Sequence, residues 1–217
     1  MKNILCYGDS NTWGYIPGTL NLETGYKERY STNQRWTMLL QQHLGQQYRI
    51  IEEGLGARTT DIDDPNKPGR NGLSFLKICL ESHAPLSLVI LMLGTNDLNN
   101  KFSRELVDTV NGIEKLINCI KETNCGSDML SASEVLIISP PHPCHEMGFD
   151  GQFLGSISRS KKLVDLYQNI VKINGCYFLN AAELIHPSEI DGIHLDLNGH
   201  KALSKMISAK ILEMKLS

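Results

Sequence analysis

Apolar positions in this chain follow two periods, and the two alternate from one end to the other. Short apolar runs predict strands at residues 3–7, 48–53, 86–93, 134–139 and 176–179. Between them, apolar residues three and four apart predict helices, because that spacing lines one helical face. Residues 33–44 carry Trp36, Leu39, Leu40 and Leu44 on a stripe, with Asn33 as the expected cap and Gly45 as the stop. Residues 72–83 place Phe75, Ile78, Cys79 and Ser82 on one side. Residues 103–123 repeat Leu106, Val107, Val110, Ile113, Leu116, Ile117 and Ile120 at helical spacing. Residues 156–173 run through Leu163, Leu166, Tyr167, Ile170 and Val171, and 198–214 through Leu203, Met206, Ile207, Ile211 and Met214.

Five strands alternating with five helices predict an α/β domain with a parallel sheet. The run 86–93 is apolar on both faces, as a strand covered by helices on both sides must be. No repeat, linker or shift in composition divides the chain, so residues 1–217 read as one domain. Two long irregular stretches remain, 15–32 and 140–155. They follow the first and fourth strands, on the edge where open α/β sheets bind ligands.

Composition changes this picture little. The chain has 217 residues, 41% apolar and 21% charged, which excludes collagen-like, low-complexity and disordered classes. The net charge of −3, with no basic run, argues against a nucleic-acid partner and fits a neutral substrate. The longest apolar run is strand-sized and the N-terminal one is too short for a secretory leader, so no membrane span and a cytoplasmic location are expected. The six cysteines are scattered without a C-x-x-C pair and read as free thiols in a reducing compartment.

Candidate chemistry sits just beyond the strands. Gly8-Asp9-Ser10-Asn11-Thr12 follows the first, Gly54-Leu55-Gly56-Ala57-Arg58 the second and Gly94-Thr95-Asn96-Asp97 the third, while Asp191-Gly192-Ile193-His194 lies past the fifth. Carboxyl ends of parallel strands share one edge, so these groups can converge in space. A serine hydroxyl needs a base to become a nucleophile, and His194 can supply one. Asp191 can fix the other imidazole nitrogen, and the chain order Ser, Asp, His suits an α/β serine hydrolase. An acyl-transfer site also needs donors for an oxyanion, for which the Ser10 N–H, an N–H of the second loop and the Asn96 amide are candidates. Taken singly, each of these is equally a cap or a turn residue.

Together the four blocks resemble those of the GDSL or SGNH hydrolases, in the family's order and across nearly the whole chain. Residues 4–14, 52–60 and 91–97 are most similar to the bacterial arylesterase/acyltransferase branch. The resemblance implies a three-layer αβα, flavodoxin-like fold with a five-stranded parallel sheet. It implies ester hydrolysis through an acyl-enzyme, without metal or cofactor. It assigns Ser10 as nucleophile, His194 as base, Asp191 as its partner, and Ser10, Ala57 and Asn96 as oxyanion donors. Ala57 stands where the family usually has glycine, and Asn11 where the family name has leucine. A homo-oligomer with 15–32 as the contact is compatible with the resemblance. A carbohydrate O-deacetylase of the same superfamily and a noncatalytic flavodoxin-like binding domain are the alternatives.

Other features compete. Gly54-x-Gly56 begins a dinucleotide fingerprint, but Thr59 replaces its third glycine. Asp61, Asp63 and Asp64 suggest calcium, yet Asn66 and Gly72 break an EF-hand, so a capped, solvated turn is expected. His142, Cys144 and His145 fit no zinc spacing and read as a mobile loop at the site mouth. Trp13, Asn11 and Phe153 are candidates for substrate contact, and Arg58 for an anion or a surface ion pair.

Overall fold

The computed structural model describes residues 1–145 and 151–216. Its single sheet has the order β2-β1-β3-β4-β5, from β1 (Lys2–Gly8), β2 (Tyr48–Gly54), β3 (Leu88–Met92), β4 (Glu134–Ser139) and β5 (Tyr177–Asn180), all parallel. Around it lie α1 (Ser10–Trp13), α2 (Trp36–Leu44), α3 (Gly72–His83), α4 (Leu106–Lys121), α5 (Ser156–Ile173) and α6 (Leu197–Met214). The architecture is the expected three-layer αβα sandwich.

Alternation along the strands builds the layers. In β1, Leu5 and Tyr7 join Leu76, Leu80, Ile113, Ile117 and Tyr167 of α3, α4 and α5. Ile4 and Cys6 turn the other way and meet Trp36, Leu40, Leu203 and Ile207 of α2 and α6. Every residue of β3 is buried, so the central strand has no solvent face. Chain order reverses at β1, which has β2 on one side and β3 on the other. The carboxyl ends of β1 and β3 therefore border the crevice where such sheets take ligands.

Several boundaries depart from the periodic reading. Helix α2 starts at Trp36, not at Asn33, and has no side-chain cap. Its Trp36 N–H instead donates to Nδ1 of His200 on α6, at 3.2 Å. An Arg35–Glu52 pair, with bonds of 2.9 and 2.7 Å, anchors the chain just before it. Helix α4 begins at Leu106 because the Asp108 carboxylate accepts from the Glu105 N–H at 3.0 Å, a local box that sets the first turn. On α3 the buried stripe is Leu76, Cys79 and Leu80, while Phe75 and Ile78 are exposed. Periodicity alone could not choose between two apolar stripes lying side by side on one helix.

Candidate active site

Ser10 owes its position to its neighbours. The Asp9 carboxylate caps α1 by accepting the Asn11 N–H at 2.9 Å. Gly14, at φ 87°, ends the helix after four residues and donates its N–H to Ser10 O at 2.9 Å. Gly54 ends β2 directly beneath α1. A Cβ on Gly54 would lie 2.1 Å from the Trp13 nitrogen, so only glycine lets α1 settle on the strand ends.

His194 approaches from the loop before α6. Its Nε2 lies 2.9 Å from Ser10 Oγ, and its Nδ1 lies 2.8 Å from Asp191 Oδ2. An ionised carboxylate only accepts, so Asp191 holds the proton on Nδ1 and leaves Nε2 to accept from the serine hydroxyl. Asp191 Oδ1 accepts the N–H groups of Ile193 at 3.1 Å and His194 at 2.9 Å. Burial opposes the charge of Asp191, but the hydrogen bond from the His194 ring and these backbone donors outweigh it and hold the carboxyl below its usual range. The Tyr15 ring lies 4.1 Å from the imidazole, between centroids. The first long loop therefore packs on this site.

Asn11 joins the two halves. Its Nδ2 donates to Ile193 O at 3.3 Å, and its Oδ1 accepts the Leu195 N–H at 2.9 Å. The residue after the serine thus grips both sides of His194. Asn11→Leu removes both bonds and strands a buried N–H, which costs about 1–3 kcal/mol. Turnover is expected to fall roughly ten- to a hundredfold as His194 loses register with Ser10. Steady-state kinetics on 4-nitrophenyl acetate with a parallel thermal melt checks both effects, and a fully active, equally stable variant would deny Asn11 this part.

The Ser10 and Ala57 N–H groups have no acceptor among the described residues. Asn96 Nδ2 donates to Arg58 O at 3.0 Å and lies 3.4 Å from Asp9 Oδ2. The first bond orients the amide; the second is weak enough to be exchanged. Ser10, Ala57, Asn96 and His194 face one cavity of about 240 Å³. Ala57 has φ 64°, in the left-handed region, which accounts for the glycine usual at that position. Behind Asn96, the wholly buried Asp97 accepts from Thr60 N at 3.0 Å and from Arg104 Nη1 at 2.8 Å, bracing the third loop against the second. Burial pushes Asp97 up to about 6 despite these donors, and does the same to Asp9 despite the Asn11 N–H and His194.

The family profile described as GDSL-like lipase/acylhydrolase matches residues 6–202. The chain belongs to the GDSL-like lipase/acylhydrolase family. As a member it is a carboxylic ester hydrolase. Solved structures of similar proteins include the aryl esterase of M. smegmatis, 35% identical with a TM-score of 0.90 over 98% of this chain and 99% of that one. Est24, a carbohydrate acetylesterase from Sinorhizobium meliloti, is 38% identical with a TM-score of 0.89 over 99% and 100%. A putative arylesterase from Agrobacterium tumefaciens is 33% identical with a TM-score of 0.86 over 98% and 99%. No protein of curated function matches the sequence.

The other candidate residues of the hydrolase divide between the cavity and its surroundings. Phe153 lines the cavity; Trp13 and Asn11 do not. Trp13 carries Lys27 and Arg29 against its ring, with 5.6 and 5.1 Å to the centroid. Arg58 is buried, not a surface residue. It stacks 4.0 Å from the Tyr7 ring centroid and donates to Gly8 O at 3.0 Å. Asp61 and Asp64 do not form a solvated turn: Asp61 pairs with Arg104 and Lys115, Asp64 with Lys101, and both carboxylates are enclosed. His142, Cys144 and His145 separate onto Ser160, Ser188 and Glu189, and form no metal-binding group among the described residues. Residues 146–150 of the expected mouth loop lie outside the described residues. Tyr15 and Arg104 escaped the sequence reading, as did the part played by Asp97 within its block, since nothing in a one-dimensional pattern marks a ring stacked on a distant histidine or a brace between two loops.

Proposed function

We propose that the protein is a serine esterase that cleaves small acyl or aryl esters through an acyl-enzyme, residues 1–217 acting as one domain. The observation that carries this is the chain of hydrogen bonds from Ser10 through His194 to Asp191, at 2.9 and 2.8 Å, opening onto a cavity that Ala57 and Asn96 also line.

Ser10 Oγ attacks the ester carbonyl carbon while His194 Nε2 takes its proton. The imidazolium forms against an Asp191 already held anionic, so it needs little reorganisation. The carbonyl oxygen becomes an oxyanion between the N–H groups of Ser10 and Ala57 and the Asn96 amide. Collapse expels the alcohol, which receives the proton from His194. A water, activated by the same imidazole, then attacks the acyl-enzyme and frees Ser10. An alcohol in place of that water gives acyl transfer, and the loops that line the cavity set the balance between them. The free cysteines among the described residues suit a reducing cytoplasm. Among the described residues, no helix is long and apolar enough to cross a membrane.

Asn96→Ala is expected to lower kcat by roughly two to three orders of magnitude with a smaller change in KM. Steady-state kinetics on an aryl acetate measures this, and an unchanged kcat would remove Asn96 from the oxyanion site. A second reading, carbohydrate O-deacetylation, is favoured by the 38% identity to the Sinorhizobium acetylesterase. Aryl esters assayed beside acetylated sugars, with and without added alcohol, separate hydrolysis, acyl transfer and deacetylation.

A further inference from the structure

The cavity that holds Ser10 is more positive than the chain around it. Lys27, Lys67, Arg70 and Lys101 line it, and no carboxylate does so among the described residues. The chain as a whole carries −3, so this is not a reflection of composition. Lys101 is neutralised by Asp64 at 2.6 Å. Lys27, Lys67 and Arg70 have no carboxylate within 4 Å among the described residues, although the charge of Asp64 also reaches Lys67. Cleaving a neutral ester gives no reason to gather these three cations beside the nucleophile.

Their placement is specific. The half-buried Lys27 reaches in from the first loop, and its Nζ lies 3.5 Å from where a Cβ on Gly56 would be. The charge therefore sits beside the residue that precedes Ala57. Trp13 holds it there through its ring, 5.6 Å from Nζ. Lys67 and Arg70 come from the loop between β2 and α3. Burial lowers the pKa of Lys27, and the charges of Lys67 and Arg70 lower it further, so the three repel one another across the cavity. Arg70 donates from Nη1 to Pro68 O at 3.0 Å, but its enclosed Nε has no acceptor among the described residues. Like charges lining one cleft concentrate counter-ions, and an anion between them relieves the repulsion.

We propose that the ester this site hydrolyses carries an anionic group, a carboxylate or phosphate, held by Lys27, Lys67 and Arg70 while its carbonyl lies over Ser10. This replaces the neutral substrate suggested by the small net charge, and it rests on the ester-hydrolase reading of the site. Trp13 then acts as a positioning residue for Lys27.

The test compares matched esters by kcat/KM, corrected for spontaneous hydrolysis. One pair differs in the acyl group, 4-nitrophenyl hemisuccinate against 4-nitrophenyl butyrate. The other differs in the alcohol, 4-acetoxybenzoate against its methyl ester. In at least one pair the anionic member is expected to lead by about tenfold at low salt, the gain such a field gives an oppositely charged ligand. The lead shrinks as salt is added. Lys67→Met, at an exposed position, is expected to cut the lead by itself. Combining it with Lys27→Met and Arg70→Met brings the ratio near one. Lys77→Met, an exposed position on α3 outside the cavity, leaves the ratio where it was. A parent ratio at or below one in both pairs, or a lead that survives the triple variant, overturns the inference. If the parent cleaves none of the four esters, or Ser10→Ala cleaves them as fast, the esterase reading itself fails and takes the inference with it.

Discussion

Ser10→Ala is expected to leave the protein folded and to abolish ester hydrolysis. The fold is spared because Asp9, not Ser10, caps α1, and because the helix end is set by Gly14. The serine side chain makes one described bond, to His194 at 2.9 Å. Removing it deletes the hydroxyl that faces that imidazole, and with it the acyl-enzyme. Loss of a nucleophile from such an assembly costs roughly five to six orders of magnitude in kcat, with the oxyanion donors left to supply what remains. Turnover of 4-nitrophenyl acetate measures the loss, and a fluorophosphonate probe tests the cause. The probe is expected to label the parent at Ser10 and to leave the variant unlabelled, since only an activated serine attacks phosphorus. Activity within a few-fold of the parent, at an unchanged melting temperature, would falsify the assignment.

Asp191→Asn is expected to reduce kcat by roughly four orders of magnitude while changing the structure little. The amide oxygen can go on accepting from the Ile193 and His194 N–H groups, so the loop keeps its shape. The amide nitrogen then faces His194 Nδ1, where a carboxylate oxygen stood at 2.8 Å. Two donors cannot share that position, so the ring proton moves to Nε2 and the imidazole can no longer accept from Ser10. A stability signature accompanies the kinetic one. The Asp191 carboxyl titrates lower in the folded protein than in the unfolded chain. Its contribution is therefore present above the unfolded value, near pH 4, and is lost as pH falls further. The asparagine variant lacks this share of the acid sensitivity, which melting curves between pH 3 and pH 7 will show. Retention of more than a tenth of the parent kcat would mean that Asp191 does not set the tautomer.

Residues outside the triad also shape this site. Asn11 fixes the histidine loop, Asp97 and Arg104 hold the Asn96 loop, and Tyr15 covers the imidazole. Each acts by fixing a backbone or a ring whose position the chemistry needs, and each lies on a different element. The glycine at the end of β2 belongs with them, since any side chain there would push α1 off the strand ends.

Sequence alone determined the alternation of strands and helices, and therefore a parallel sheet with helices on both faces. It did so because burial on two faces or one writes a period of its own into the chain. It also placed Ser10, Ala57, Asn96, Asp191 and His194 beyond strand ends, where a parallel sheet collects them on one edge. Tertiary structure decided the rest. Helix α2 starts where His200, from the far end of the chain, meets its first N–H. The buried stripe of α3, the stacking of Arg58 on Tyr7 and the ion pairs of Asp61 and Asp64 all depend on which elements become neighbours. The positive wall of the cavity shows the difference most plainly. A net charge of −3 counts residues without locating them, whereas folding brings Lys27, Lys67 and Arg70 around one serine. Electrostatic fields depend on distance and dielectric, and only the folded chain sets those.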